Sequence, residues 1–166
     1  MKLNLKEART LKAALAGEME DLKSQRGQVA VVEIAPGEDF KDYINATVEE
    51  LTEKIRLVRE DYLRLDEMVR TENARLRDVE GERISIAGLI AKNNEMRREQ
   101  NVFRNLSLKK PKEIGGYSSK ETIIVTTYDI AAAKVRAEEL RAECDARSAL
   151  IDRLDMEVTL DFERKS

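Results

Sequence analysis

The chain has 166 residues, of which 30 are Lys or Arg and 33 are Asp or Glu, for a net charge of -3, and it holds no His, no Trp, two Pro and one Cys. Without His there is no Ser-His-Asp or Cys-His nucleophile pair and no imidazole general base. A lone Cys excludes a zinc cluster, an internal disulfide framework and a CxxC redox pair.

Charged residues at 38% and aromatics at 4% point to long helices joined by narrow apolar seams. The start, Lys2-Leu3-Asn4-Leu5-Lys6, is too polar for a signal peptide. The longest apolar stretches, such as Val29 to Val32, fall far short of the ~20 residues that cross a bilayer. A soluble, cytoplasmic protein with a free thiol is the expectation.

Helix one is predicted over about 5–25, with the apolar row Ala8, Leu11, Leu15, Met19 and Leu22 and Gly27 as its C-cap. The β-branched run of Val29, Val31, Val32 and Ile34 before Ala35-Pro36-Gly37 predicts a strand at 28–34. Helix two, over about 40–80 with Asp39 as its cap, carries the strongest periodicity. Its row is Ile44, Val48, Leu51, Ile55, Val58, Tyr62, Leu65, Val69, Glu72, Leu76 and Val79, a heptad seam closed by Gly81. Helix three, over about 85–106, has the seam Ile86, Leu89, Asn93, Met96, Gln100 and Phe103. A Lys-rich loop is expected from Ser107 to Gly116, then a second strand at 122–128. Asp129 caps helix four, over about 129–158, whose row is Ile130, Ala133, Ala137, Leu140, Cys144, Arg147, Ile151, Leu154 and Val158. The residues after Leu160 are expected to fray.

This order predicts a mainly α protein in one domain, 1–166. The architecture is an elongated antiparallel four-helix bundle or coiled coil, with strands 28–34 and 122–128 paired as a small β ribbon at one end. Residues 38–82 carry 8 basic and 14 acidic side chains, and residues 83–112 carry 8 basic and 2 acidic. Opposite charge favours pairing of helices two and three. Exposed pairs are worth only ~0.2–1 kcal/mol each, so the apolar seams must supply most of the drive.

Several short motifs together resemble one family. They are Met1-Lys2-Leu3 with Glu7-Ala8, Thr71-Glu72-Asn73, Gly116-Tyr117-Ser118-Ser119-Lys120-Glu121 and Thr127-Tyr128-Asp129-Ile130. The chain resembles the septicolysin-like family of small, mostly uncharacterised bacterial helical proteins over about residues 1–160. It departs from the family's pattern at Glu72, Asp155 and Met156. The resemblance implies a helical protein and, from the family name, a membrane-active cytolysin, with no established mechanism.

Candidate chemistry is sparse. Glu49, Glu50, Glu53, Glu60 and Asp61 read as solvated helix faces, since a heptad rod offers no pocket to shift their titration. With no His, a di-metal carboxylate bundle is disfavoured. Gly115-Gly116-Tyr117-Ser118-Ser119-Lys120 lacks phosphate-loop spacing and reads as a turn. Glu72, Asn93, Gln100 and Arg147 interrupt the seams; they either set register and oligomer state from buried positions or snorkel at the seam margin. Arg97, Arg98, Arg104, Lys109, Lys110 and Lys112 form a basic tract. With no aromatic platform beside it and an acidic chain overall, this tract is read as an interaction patch that pairs within the molecule or with a protein partner, and nucleic acid is disfavoured as a partner. Cys144 reads as a small buried hydrophobe.

The functional expectation is a non-enzymatic structural or interaction protein that self-associates, without a cofactor and with a possible protein partner. Helix two, as bounded above, outreaches helix three by about five turns, leaving seam for another subunit to cover. The alternatives are a holdase-like chaperone and a membrane-active cytolysin. A membrane partner is disfavoured because the seams are narrow and anchoring aromatics are few.

Overall fold

The computed structural model describes residues 1–115 and 122–166. Among them the fold is mainly α, with antiparallel helix packing and small two-stranded ribbons. Four α-helices stand out: α1 (Leu5–Val29), α2 (Val48–Ala74), α3 (Ile86–Ser107) and α4 (Ile130–Glu157). Six short strands accompany them: β1 (Lys2–Asn4), β2 (Arg77–Val79), β3 (Glu82–Ile84), β4 (Lys112–Gly115), β5 (Thr122–Val125) and β6 (Thr159–Asp161). They pair antiparallel as β1 with β6, β2 with β3 and β4 with β5. The chain divides into two compact units, Met1–Arg75 with Asp155–Ser166, and Leu76–Leu154.

The first unit is built on the α1–α2 hairpin. Asn4 starts α1 with a reciprocal capping box, its side chain accepting from the Glu7 N–H and the Glu7 carboxylate accepting from the Asn4 N–H, each at 2.8 Å. Thr47 and Glu50 do the same for α2. The helices run antiparallel, because Lys12 meets Asp66 and Arg26 meets Thr52. Leu5, Ala8 and Leu15 of α1 close against Leu51, Ile55, Val58, Leu65 and Val69 of α2, all buried. Fully burying such a side chain is worth about 1.5–3 kcal/mol, so this seam carries the hairpin. Leu160 and Phe162 of the C-terminal segment are buried as well.

The second unit is built on α3 and the part of α4 up to Leu154. The Ser85 hydroxyl caps α3 by accepting from the Gly88 N–H at 3.0 Å. Asp129 caps α4, accepting from Ala131 and Ala132 at 2.8 and 3.1 Å. Ile86, Leu89 and Asn93 of α3 and Ala133, Ala137, Leu140, Cys144 and Leu154 of α4 are buried, on the 3-4 spacing read from the sequence, and Asn93 meets Ser148 across the pair. The β2–β3 hairpin leads into α3 through a two-residue turn, Glu80-Gly81, with φ of 51° and 85°. Positive φ at both positions is the twist-matched hairpin turn that glycine makes easy. Val79 and Ile84 bury the inner side of that hairpin. Gly88 is needed where α3 starts, since a Cβ there would lie 2.9 Å from the Ile84 side chain.

Several expectations need correction. Residues 28–34 are not a strand: α1 continues through Gly27 to Val29, and Val31 is 85% exposed. A β-branched run gains its strand preference from packing on a partner, and the 122–125 strand pairs instead with Lys112–Gly115, placed in a loop by the sequence reading. Helix two does not start at 40. Asp39 caps only a 3-10 turn, Phe40–Tyr43, and the stronger Thr47-to-Glu50 box sets the true start. Nor does it reach 80, because Leu76 to Ile84 folds back as the β2–β3 hairpin. With 27 residues in α2 and 22 in α3, the five-turn overhang disappears. The tail does not fray, for Phe162 is 2% exposed and β6 pairs with β1. The turn read at Gly115-Gly116-Tyr117-Ser118-Ser119-Lys120 lies, from Gly116 on, outside the described residues.

Candidate interaction surfaces

Three places concentrate polar chemistry in the first unit, and all tie structure together. Asp61 has no exposed surface. Its Oδ2 accepts from the backbone N–H groups of Lys165 and Ser166 at 2.9 and 2.8 Å, and its Oδ1 accepts from Arg64 at 2.9 Å. Arg64 also donates to the Glu163 carbonyl and lies 4.9 Å from the centre of the Phe162 ring. Burial pushes the Asp61 carboxyl up, but hydrogen bonds from Ser166 and Lys165 and the charge of Arg64 outweigh it and hold the carboxyl below its usual value. Asp66 is likewise lowered, first by the hydrogen bond from Lys12 and then by Arg70. Arg9 joins Asp155 and Asn73, with Nη2 at 3.0 and 3.1 Å from their oxygens. These clusters clamp the C-terminal segment and α1 onto α2.

In the second unit the seam polar residues take different positions. Asn93 is 4% exposed; its Nδ2 donates to the Ser148 hydroxyl at 3.0 Å and its Oδ1 has no partner. The Ser148 hydroxyl donates to the Cys144 carbonyl and also accepts from Arg97 at 2.9 Å. Arg147 is half-buried, with Nη1 3.7 Å from the Met96 sulfur, and Gln100 is half-buried beside Cys144. Glu72, the remaining member of that set, lies on α2 in the first unit, where it pairs with Arg75 at 3.2 Å. Asn93 alone of the four is buried.

The basic tract divides across α3. Arg98 turns to one side, pairs with Glu95 and shares a groove with Glu99, Val102, Arg136 and Glu143. Arg97 and Arg104 face the other side with Gln100 and Asn101, opposite Arg141 and Asp145 of α4. Lys109, Lys110 and Lys112 continue past the α3 end, all exposed. Arg141 escaped the sequence reading because it flanks the α4 seam rather than interrupting it. Asp66 escaped for the same reason, lying one residue off the seam position Leu65, whereas Asp61, read from the sequence as part of a solvated helix face, is instead fully buried because the C-terminal segment supplies it with donors.

Strand β5 carries a continuous run of exposed apolar side chains. Ile123, Ile124 and Val125 are 57%, 58% and 60% exposed. Successive strand residues point to opposite faces, so both faces of β5 are uncovered. Three hydrogen bonds to backbone carbonyls tie the end of the ribbon back towards α3: the Thr126 N–H donates to Pro111, the Thr126 hydroxyl to Lys110, and the Tyr128 hydroxyl to Leu106 at 2.7 Å. Among the described residues no group of three or more Cys, Asp or Glu is placed to hold a metal ion, and no helix is long and apolar enough to cross a membrane.

The chain matches no protein-family model and no curated protein. It is similar to the crystal structure of a functionally unknown conserved protein from Corynebacterium diphtheriae, at 16% identity and a TM-score of 0.61, covering 97% of this chain and all of that one. That likeness concerns the fold.

Proposed function

We propose that the protein is a non-enzymatic interaction protein that self-associates through the β4–β5 ribbon. The observation that carries this is the exposed Ile123-Ile124-Val125 run. A two-stranded ribbon in which Ile123, Ile124 and Val125 are uncovered is marginal in water, and an open strand edge is a template for another chain. The two edges differ in kind. The sequence of β4 carries Lys112 and Glu113 next to Pro111, whereas that of β5 reads Thr-Ile-Ile-Val without a charge. Charge and proline discourage edge pairing, so β5 is the edge left to recruit a second copy. Pairing of β5 with β5 about a two-fold axis makes one four-stranded sheet, a closed and self-complementary contact.

Light scattering at micromolar protein tests this. The expected mass is twice that of the chain or a higher multiple, and Ile123→Lys with Val125→Lys should return it to that of one chain. A wild-type mass of one chain at those concentrations overturns the proposal. The same ribbon also favours a second reading, a holdase that takes extended strands of unfolded clients. A wild-type protein that stays monomeric yet suppresses aggregation of an unfolded client, and loses that ability in the double variant, would favour it.

A further inference from the structure

We infer that the groove between α3 and α4 on the Arg97 side is a binding site for a linear polyphosphate anion. The groove holds about 630 Å³ and presents Arg97, Arg104 and Arg141 with the amides of Gln100 and Asn101; its one carboxylate is Asp145. Elsewhere most arginines are neutralised at close range, as in Arg9 with Asp155, Arg56 with Glu53, Arg64 with Asp61 and Arg98 with Glu95. Here the neutralisation is missing. Arg97 donates to a neutral hydroxyl, that of Ser148. Arg104 makes no ion pair among the described residues. Arg141 reaches Asp145 only at 3.9 Å, with both side chains more than 70% exposed, a contact of little worth. Three guanidinium groups thus converge on one groove with one weakly held acid.

The spacing narrows the ligand. Arg97 and Arg104 are two helical turns apart, about 10.5 Å along the axis, which exceeds the width of a single tetrahedral anion. An anion with several phosphates in line meets both. Planar guanidinium forks suit phosphate oxygens, and the amides between them add donors. Lys109, Lys110 and Lys112 extend the positive track past the end of α3. No aromatic side chain lines the groove, so nothing there stacks on a base, which separates this site from a single-strand nucleic-acid channel.

Titration of the full chain with inorganic polyphosphate at low salt tests the inference. Binding should weaken as salt rises, by about fourfold per doubling for three neutralised phosphates on a single-stranded polyanion. Arg104→Gln should weaken it at least threefold, and Arg97→Gln, Arg104→Gln and Arg141→Gln together more than tenfold, with the circular dichroism spectrum unchanged. Arg98→Gln, on the opposite side of α3, should leave it unaltered. The inference is overturned if no binding is seen at low salt, or if Arg98→Gln matters as much as Arg104→Gln. It is also overturned if single-stranded DNA at equal phosphate concentration binds more tightly than polyphosphate.

Discussion

Asp61 and Asn93 are both buried polar side chains, and their environments give them opposite energetic signs. Asp61 is supplied with three donors, so its charge is held in place. Replacing it by Asn leaves backbone N–H groups poorly matched and should cost about 2 kcal/mol in urea unfolding at neutral pH. Folded Asp61 and Asp66 hold protons less tightly than an ordinary aspartate, which titrates near about 4. Their contribution to stability is therefore whole at neutral pH and is lost as pH falls below about 4 towards their lowered folded values. Asp61→Asn should lose less stability than wild type across that window, which paired urea titrations at neutral pH and at about pH 3 will read. Asn93 has an orphaned Oδ1, so Asn93→Leu should raise stability by about 1 kcal/mol in thermal unfolding. The Asn93–Ser148 bond is then a device of register rather than of stability: slipping α4 by one heptad would set Arg141 in place of Ser148.

At the scale of elements, periodicity shows through wherever a helix buries one stripe. The α4 row from Ile130 to Val158 falls on buried or half-buried positions throughout, and so does the α3 row from Ile86 to Phe103. What the pattern does not show is where a seam stops. The 3-4 alternation runs on through Leu76 and Val79 while the backbone has already turned into a hairpin, because alternate apolar residues at 79 and 84 also satisfy a strand pair. Glu80-Gly81 decides the matter locally. Gly81→Ala places a Cβ at φ 85° and should cost about 1–2 kcal/mol, read as a lowered urea midpoint with an unchanged slope. The strand expected at 28–34 fails for the converse reason: β-branched content marks a preference, and pairing requires a partner that the 112–115 segment supplies more locally to 122–125.

For the whole molecule, the helical class follows from composition and seam spacing, while the tertiary polar contacts do not. Asp61 meeting Lys165 and Ser166 joins residues more than a hundred positions apart, and no local pattern encodes that pairing. The basic tract was legible as charge, but its division into a paired side at Arg98 and an unpaired side at Arg97 and Arg104 depends on which face of α3 meets α4. The uncovered β5 run was legible as a strand, yet its exposure was not, since apolar β-branched residues are usually expected to be covered. That exposure is the basis for self-association, and concentration-dependent hydrogen exchange measures it at the place itself. Amides of Thr122 to Val125 should exchange more slowly as protein rises from about nanomolar to micromolar, while those of α1 and α2 stay constant. Exchange at β5 that is fast and independent of concentration would contradict the proposal.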